Sequence, residues 1–235
     1  MRSSTFALTF LPLLLLGVAP LAAQDAPVEA PAAAAPVAPA TPAAALPVTV
    51  DTSLENDPDN ILLLDLSDGG RVAIRLMPQW APGHVERIKT LARQGFYNGV
   101  IFHRVIEGFM AQTGDPTGTG QGGSPLPDLK AEFNKMPHLR GTVSMARTNE
   151  PDSANSQFFI MLMPRFALDN RYTNFGRVIS GMQYVDAIQR GEPPRAPTRI
   201  VQASLASDRR APPPVTAPVA AAPVTADELS NSQSQ

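Results

Sequence analysis

The chain has 235 residues, with 19 basic and 21 acidic side chains for a net charge of −2, and it contains no cysteine. Near-neutrality excludes the basic excess of a nucleic-acid binder, and the missing cysteines exclude disulfides, zinc ribbons and thiolate nucleophiles. The three histidines, His84, His103 and His138, never fall at the i, i+4 spacing that aims two imidazoles at one metal, so no metal site is expected.

At the N-terminus, Arg2 precedes an apolar stretch from Phe6 to Val18 and then small residues at Ala19, Ala22 and Ala23. The pattern reads as a signal peptide over 1–23, too short and too broken by Pro12 and Gly17 for a comfortable transmembrane span of about 20 residues. The mature chain is therefore expected to be exported, periplasmic or secreted in a bacterium, without stable membrane insertion. Eight of the 25 prolines lie before residue 50 and five after residue 205, alternating with Ala and Val. Such segments lack the large side chains of a core. They read as a Pro/Ala linker over 24–49 and a disordered tail over 206–235, spacers or tethers around one domain at 50–205.

Within that domain, ILLLDL at 61–66, the turn signal Asp68-Gly69-Gly70 and RVAIRL at 71–76 predict a hairpin. Val85, Ile88 and Leu91 then recur at helical spacing after Pro82, which suits a first turn. Short strands are expected at 100–105, 108–114, 141–147, 157–163 and 175–180, a second helix at 182–189 and a last strand at 198–205. The sum is a mainly β fold: a closed eight-stranded antiparallel β-barrel capped by two α-helices.

Strand alternation places Phe102 with Arg104 on one face and His103 on the other, and pairs Gln157 with Phe159 against Phe158, Ile160 and Leu162. Pattern alone leaves open a bland account, in which Arg104 and Gln157 sit on a solvated sheet face. Gly118, Gly120 and Gly123 satisfy GxGxxG, but no apolar strand leads into them and Pro125 and Pro127 follow where a helix should begin. A flexible loop is the better reading than a dinucleotide site, and no cofactor is expected. His103 reads as a packed or hydrogen-bonded structural residue, Trp80 as packing, and Asp65 and Asp68 as parts of the hairpin.

The runs GFYNGVIFHRVIEGFMAQTGDPTGTGQGG at 95–123, GTVSMARTNEPDSANSQFFI at 141–160 and LDNRYTNFGRVISGM at 168–182 resemble cyclophilin-type peptidyl-prolyl isomerases, bacterial members above all. The resemblance spans about residues 60 to 205. It implies that Arg104 is the catalytic group and that Phe109, Met110, Phe159 and Leu168 form a proline pocket. Gln112 and Gln157 would hold the substrate backbone, and Gly118, Ala146 and Arg147 would line the neighbouring groove. Tyr172 stands where many relatives carry a pocket histidine. Ala167 or Phe166 stands where they often carry a tryptophan, and weak cyclosporin binding is expected for that reason.

The implied reaction suits these residue types, because rotating an Xaa-Pro bond needs no nucleophile and no titrating acid or base. The expected partners are proline-containing unfolded or folding polypeptides, in the cell envelope by the N-terminal signal pattern, and a monomer is expected. From a different class comes a second reading: a proline-binding chaperone or scaffold module with little turnover.

Overall fold

A computed structural model describes residues 49–214, so the expected signal peptide, nearly all of the linker and the tail from residue 215 lie outside the described residues. Eight strands form one antiparallel sheet: β1 (Ile61–Leu66), β2 (Arg71–Leu76), β3 (Arg104–Ile106), β4 (Met110–Thr113), β5 (Thr142–Met145), β6 (Phe158–Met161), β7 (Asn174–Ser180) and β8 (Ile200–Leu205). Their order across the sheet is β3-β4-β6-β5-β7-β2-β1-β8. Helix α1 spans Pro82–Arg93 and helix α2 spans Met182–Ala187.

The sheet curls into a half-barrel and does not close, contrary to the barrel expected. Closure would need a ladder between the end strands β3 and β8, yet on that side β8 and the residue before it reach the residues ahead of β3 instead, through the isolated bridge Ile101–Arg199 and hydrogen bonds such as Ile200 N–H to Val100 O at 2.9 Å. The free edge of β3 is taken instead by Gly191, bridged to Val105.

Three further expectations are corrected. The strand expected over 100–105 begins only at Arg104, and because residues 102 and 103 belong to no ladder, alternation does not run through them. Phe102 is consequently fully buried in the interior core, not on the face of Arg104. Helix α2 ends at Ala187, two residues early, where Ile188 leaves the helical region at φ −55°, ψ 130°. The body also continues past Leu205: Ala206–Asp208 forms a 3-10 turn, and Gln202 donates to the Ala211 carbonyl at 3.1 Å.

Inside the curl, Leu62, Leu64, Val72, Ile74 and Leu76 meet Val85, Ile88 and Leu91 of α1 and Val185 of α2. Tyr97, Phe158 and Phe175 pack edge-to-face through this core, with ring centroids 5.6 and 6.2 Å apart. At the entry, the buried guanidinium of Arg75 donates to the carbonyls of Asp51, Ser53 and Asp57, which ties the first described residues to β2. Trp80 packs with Met77 and Met136 in a separate small cluster.

Candidate functional site

Because side chains alternate along a strand, register decides which residues share the outer face of the sheet. Arg104 of β3 pairs with Gln112 of β4, Gln112 with Phe159 of β6, and Phe159 with Ser144 of β5. One turn of the pleat away, Ile106 pairs with Met110 and Met110 with Met161. Val105, Ala111, Phe158, Ile160 and Val143 point the other way, into the core. Pairing across four strands thus assembles a patch in which Met110, Phe159 and Met161 are buried and Phe109, Ala146, Leu168 and Tyr172 pack around them.

A hollow of about 120 Å³ opens in this patch, lined by Arg104, Phe109, Met110, Gln112, Ala146, Arg147, Phe159, Leu168 and Tyr172. It is slightly smaller than the cavity of about 150 Å³ that accepts benzene in an apolar protein interior, so it fits one small ring. Phe159 forms its floor, edge-on to Tyr172 with centroids 5.7 Å apart. Leu168 enters from a 3-10 turn at Phe166–Leu168, whose Phe166 is exposed; neither Phe166 nor Ala167 lines the hollow.

The charged rim is held in two ways. Arg104 donates through Nε to Glu192 at 2.7 Å, and among the described residues its Nη groups make no hydrogen bond. Arg147 spends its guanidinium on backbone carbonyls, donating to Arg171 at 3.1 and 2.8 Å and to Thr148 at 2.8 Å, with its Cζ 4.7 Å from the Tyr172 ring centroid. Of these two, Arg104 is the guanidinium with donors to offer a ligand.

Gln112, Ala146 and Arg147 also border a second hollow of about 470 Å³, where Gln157 lies with Gly120–Gly123, Ser124, Asp128 and Asn155. Gln157 accepts from the Gln112 amide at 2.9 Å and donates to the carbonyls of Gly120 and Gly122 at 3.1 and 2.8 Å, tying the glycine-rich loop to the sheet. Asp115 gathers the same loop, accepting from the N–H groups of Thr117 and Gly120 and from the Thr117 hydroxyl. Burial would raise the Asp115 pKa, but these bonds overcome it and hold the carboxyl down to about 2. A Cβ on Gly122 would come 2.1 Å from the Asp115 carboxylate, so the wrap requires glycine there. Gly118 lies outside both hollows, against Ile101.

Sequence reasoning missed the layer beneath Phe159. The His138 ring stacks on Phe159 at 6.4 Å, its Nδ1 is 2.8 Å from Asp169 and its Nε2 is 2.9 Å from the Ser144 hydroxyl. The order Ser, His, Asp is that of a hydrolytic triad, but Ser144 and His138 are fully buried and no substrate reaches the hydroxyl. The network is a support. Glu192 was missed as well, and no local pattern could have paired it with Arg104, 88 residues away. His103 is buried with neither ring nitrogen hydrogen-bonded, hence packed and nothing more. A larger hollow, about 690 Å³ and flanked by Tyr184 and Pro212–Pro214, contains none of the expected site residues.

Comparison with known proteins points the same way as the geometry. Residues 61–205 match the family model described as cyclophilin type peptidyl-prolyl cis-trans isomerase/CLD. A probable peptidyl-prolyl cis-trans isomerase of Brucella suis is 48% identical, over 68% of this chain and 90% of that protein. Peptidyl-prolyl cis-trans isomerase B of Bacillus subtilis is 42% identical, over 54% and 89% respectively. Among solved structures, cyclophilin AquaCyp293 from Hirschia baltica superposes with a TM-score of 0.60 at 33% identity, covering 65% of this chain and 76% of that one. A Cryptosporidium parvum cyclophilin type isomerase, crystallised in the presence of the dipeptide Ala-Pro, superposes with a TM-score of 0.58 at 27% identity, covering 62% and 98%.

Proposed function

The chain belongs to the cyclophilin-type peptidyl-prolyl cis-trans isomerase family, and from that premise we propose that the small hollow receives the proline ring of a polypeptide while Arg104 catalyses rotation of the preceding amide bond. One observation carries this reading: a guanidinium with unengaged Nη donors stands at the rim of an apolar hollow the size of one ring.

Rotation must cross a barrier of about 18–20 kcal/mol, because amide resonance is lost at the twisted midpoint. Unaided, the exchange takes tens to hundreds of seconds. At that midpoint the proline nitrogen regains a lone pair, which a permanently charged guanidinium meets with a hydrogen bond the planar ground state cannot accept. A bond made only at the midpoint lowers the barrier without tightening ground-state binding. Phe109, Met110, Phe159 and Leu168 hold the ring and exclude water, which strengthens the charge-assisted bond.

The Ala-Pro dipeptide present with the Cryptosporidium relative supports proline-containing chains as substrates. The apolar N-terminal stretch read as a signal peptide supports a bacterial cell-envelope location, where the clients would be folding polypeptides.

The test is cis/trans exchange in an Ala-Pro peptide, followed by NMR exchange spectroscopy with the purified chain and its Arg104→Ala variant. The parent accelerates exchange, and the folded variant loses about a hundredfold or more. A parent that binds the peptide but leaves its exchange rate unchanged would instead be a binding module, and the proposal would be withdrawn.

A further inference from the structure

Beyond α2 the chain returns along the free edge of β3, where Gly191 and Val105 exchange both backbone hydrogen bonds, at 3.0 and 2.8 Å. Antiparallel register from this bridge sets Glu192 beside Arg104 and Arg190 beside the far end of β3, and an ion pair closes on each flank. Glu192 Oε2 lies 2.7 Å from Arg104 Nε, and Glu107 Oε2 lies 2.6 Å from Arg190 Nε. Gly191 itself has φ 142°, and a Cβ there would come 2.7 Å from Cα of Pro194, so the crossover between the two pairs admits no side chain.

An exposed ion pair of this kind adds little to stability, and the Arg104 and Glu192 side chains are 42% and 51% exposed. Its effect is on direction. An arginine side chain has many rotamers to lose; a carboxylate fixed on Nε restricts them and leaves the two Nη groups as the donors available to a ligand in the hollow that Arg104 lines. The geometry points to Glu192 as the positioning residue for Arg104, setting the guanidinium at the height of the prolyl amide. Glu192 touches no substrate and acts only through Arg104. The inference rests on Arg104 being the catalytic group.

Exchange measurements on the full chain, as kcat and KM for an Ala-Pro peptide, separate the two ideas. E192A is expected to lower kcat about tenfold, in line with the cost of a misplaced catalytic group, with KM and the melting temperature essentially unchanged. E192Q keeps an oxygen that can accept from Nε and recovers most of the loss. Combined with Arg104→Ala, E192A has no further effect. Parental or faster turnover by E192A beside an inactive Arg104→Ala overturns the inference and leaves Arg104 standing, as does E192Q behaving no better than E192A. Full activity in Arg104→Ala is the separate failure of the Arg104 reading.

Discussion

Asp169 links the wall of the candidate pocket to its floor. It follows Leu168, and its Oδ1 accepts from both the backbone N–H and the Nδ1 of His138, each at 2.8 Å. His138 in turn lies against Phe159. With Nδ1–H donated to Asp169, Nε2 is left to accept from Ser144, which accounts for the ring's buried polar atoms. Asp169→Ala would leave two donors without their acceptor, at a cost of about 2 kcal/mol. It should also raise KM by releasing Leu168 from Phe159. Asp169→Asn retains an acceptor oxygen and should lose less than half as much. Urea midpoints and exchange kinetics on the two variants check this, and an Ala variant with parental stability and KM would show that the carboxylate supports nothing.

At the level of elements, α1 begins without a cap of its own. Its N-cap residue, Ala81, has no side-chain acceptor, and Pro82 supplies only the preset φ of a first turn. The acceptor comes from Glu132, whose carboxylate takes the N–H groups of Gly83 and His84 at 3.1 Å each and His84 Nδ1 at 2.6 Å. Removing a cap costs about 1 kcal/mol, so Glu132→Ala should lower the melting temperature by several degrees, with the exchange activity per folded molecule unchanged. An unaltered melting temperature would mean that water replaces the carboxylate at no cost. Local periodicity revealed α1 itself through Val85, Ile88 and Leu91, and all eight strands through their apolar runs. It also set Phe159 against Phe158 and Ile160 correctly, because an unbroken strand keeps its alternation. It failed at Phe102, where no ladder enforces the pleat. It could not supply Glu132 for α1, 48 residues on, or Glu192 for Arg104, because such partners are fixed by tertiary register and leave no short-range signal. The open seam escaped for the same reason: a strand count does not say whether the end strands pair.

For the molecule as a whole, the proposed chemistry and the stability should respond differently to pH. Rotation about an amide bond transfers no proton to or from an acid or base, so turnover per folded molecule should be flat from about pH 6 to 9. Stability should not be flat below that range. His84, His103 and His138 are all buried, and burial pushes each pKa below its ordinary 6.5, outweighing the nearby carboxylates of Glu132, Asp115 and Asp169 respectively. A depressed histidine means that the unfolded chain binds the proton first. The stabilisation from a neutral buried ring is therefore complete above 6.5, and it is lost as pH falls through 6.5 toward the lower folded value. Each ring can withdraw at most about 1.4 kcal/mol per pH unit over that interval. Glu132 and Asp115 follow at lower pH: both carboxyls are held below their ordinary values by hydrogen bonds despite burial, so their contribution lasts down to about pH 4 and is then withdrawn. Thermal melts at intervals from pH 8 to 4 should show a plateau above about pH 7 and a fall that begins near 6.5, ahead of the contribution from Glu132 and Asp115. His103→Phe removes the one ring that has no hydrogen bond to lose, so it should shallow the first part of the fall. A melting temperature that stays level down to pH 5 would mean that these rings accept protons as readily in the folded chain as in the unfolded one, and that their surroundings are wetter than their burial implies.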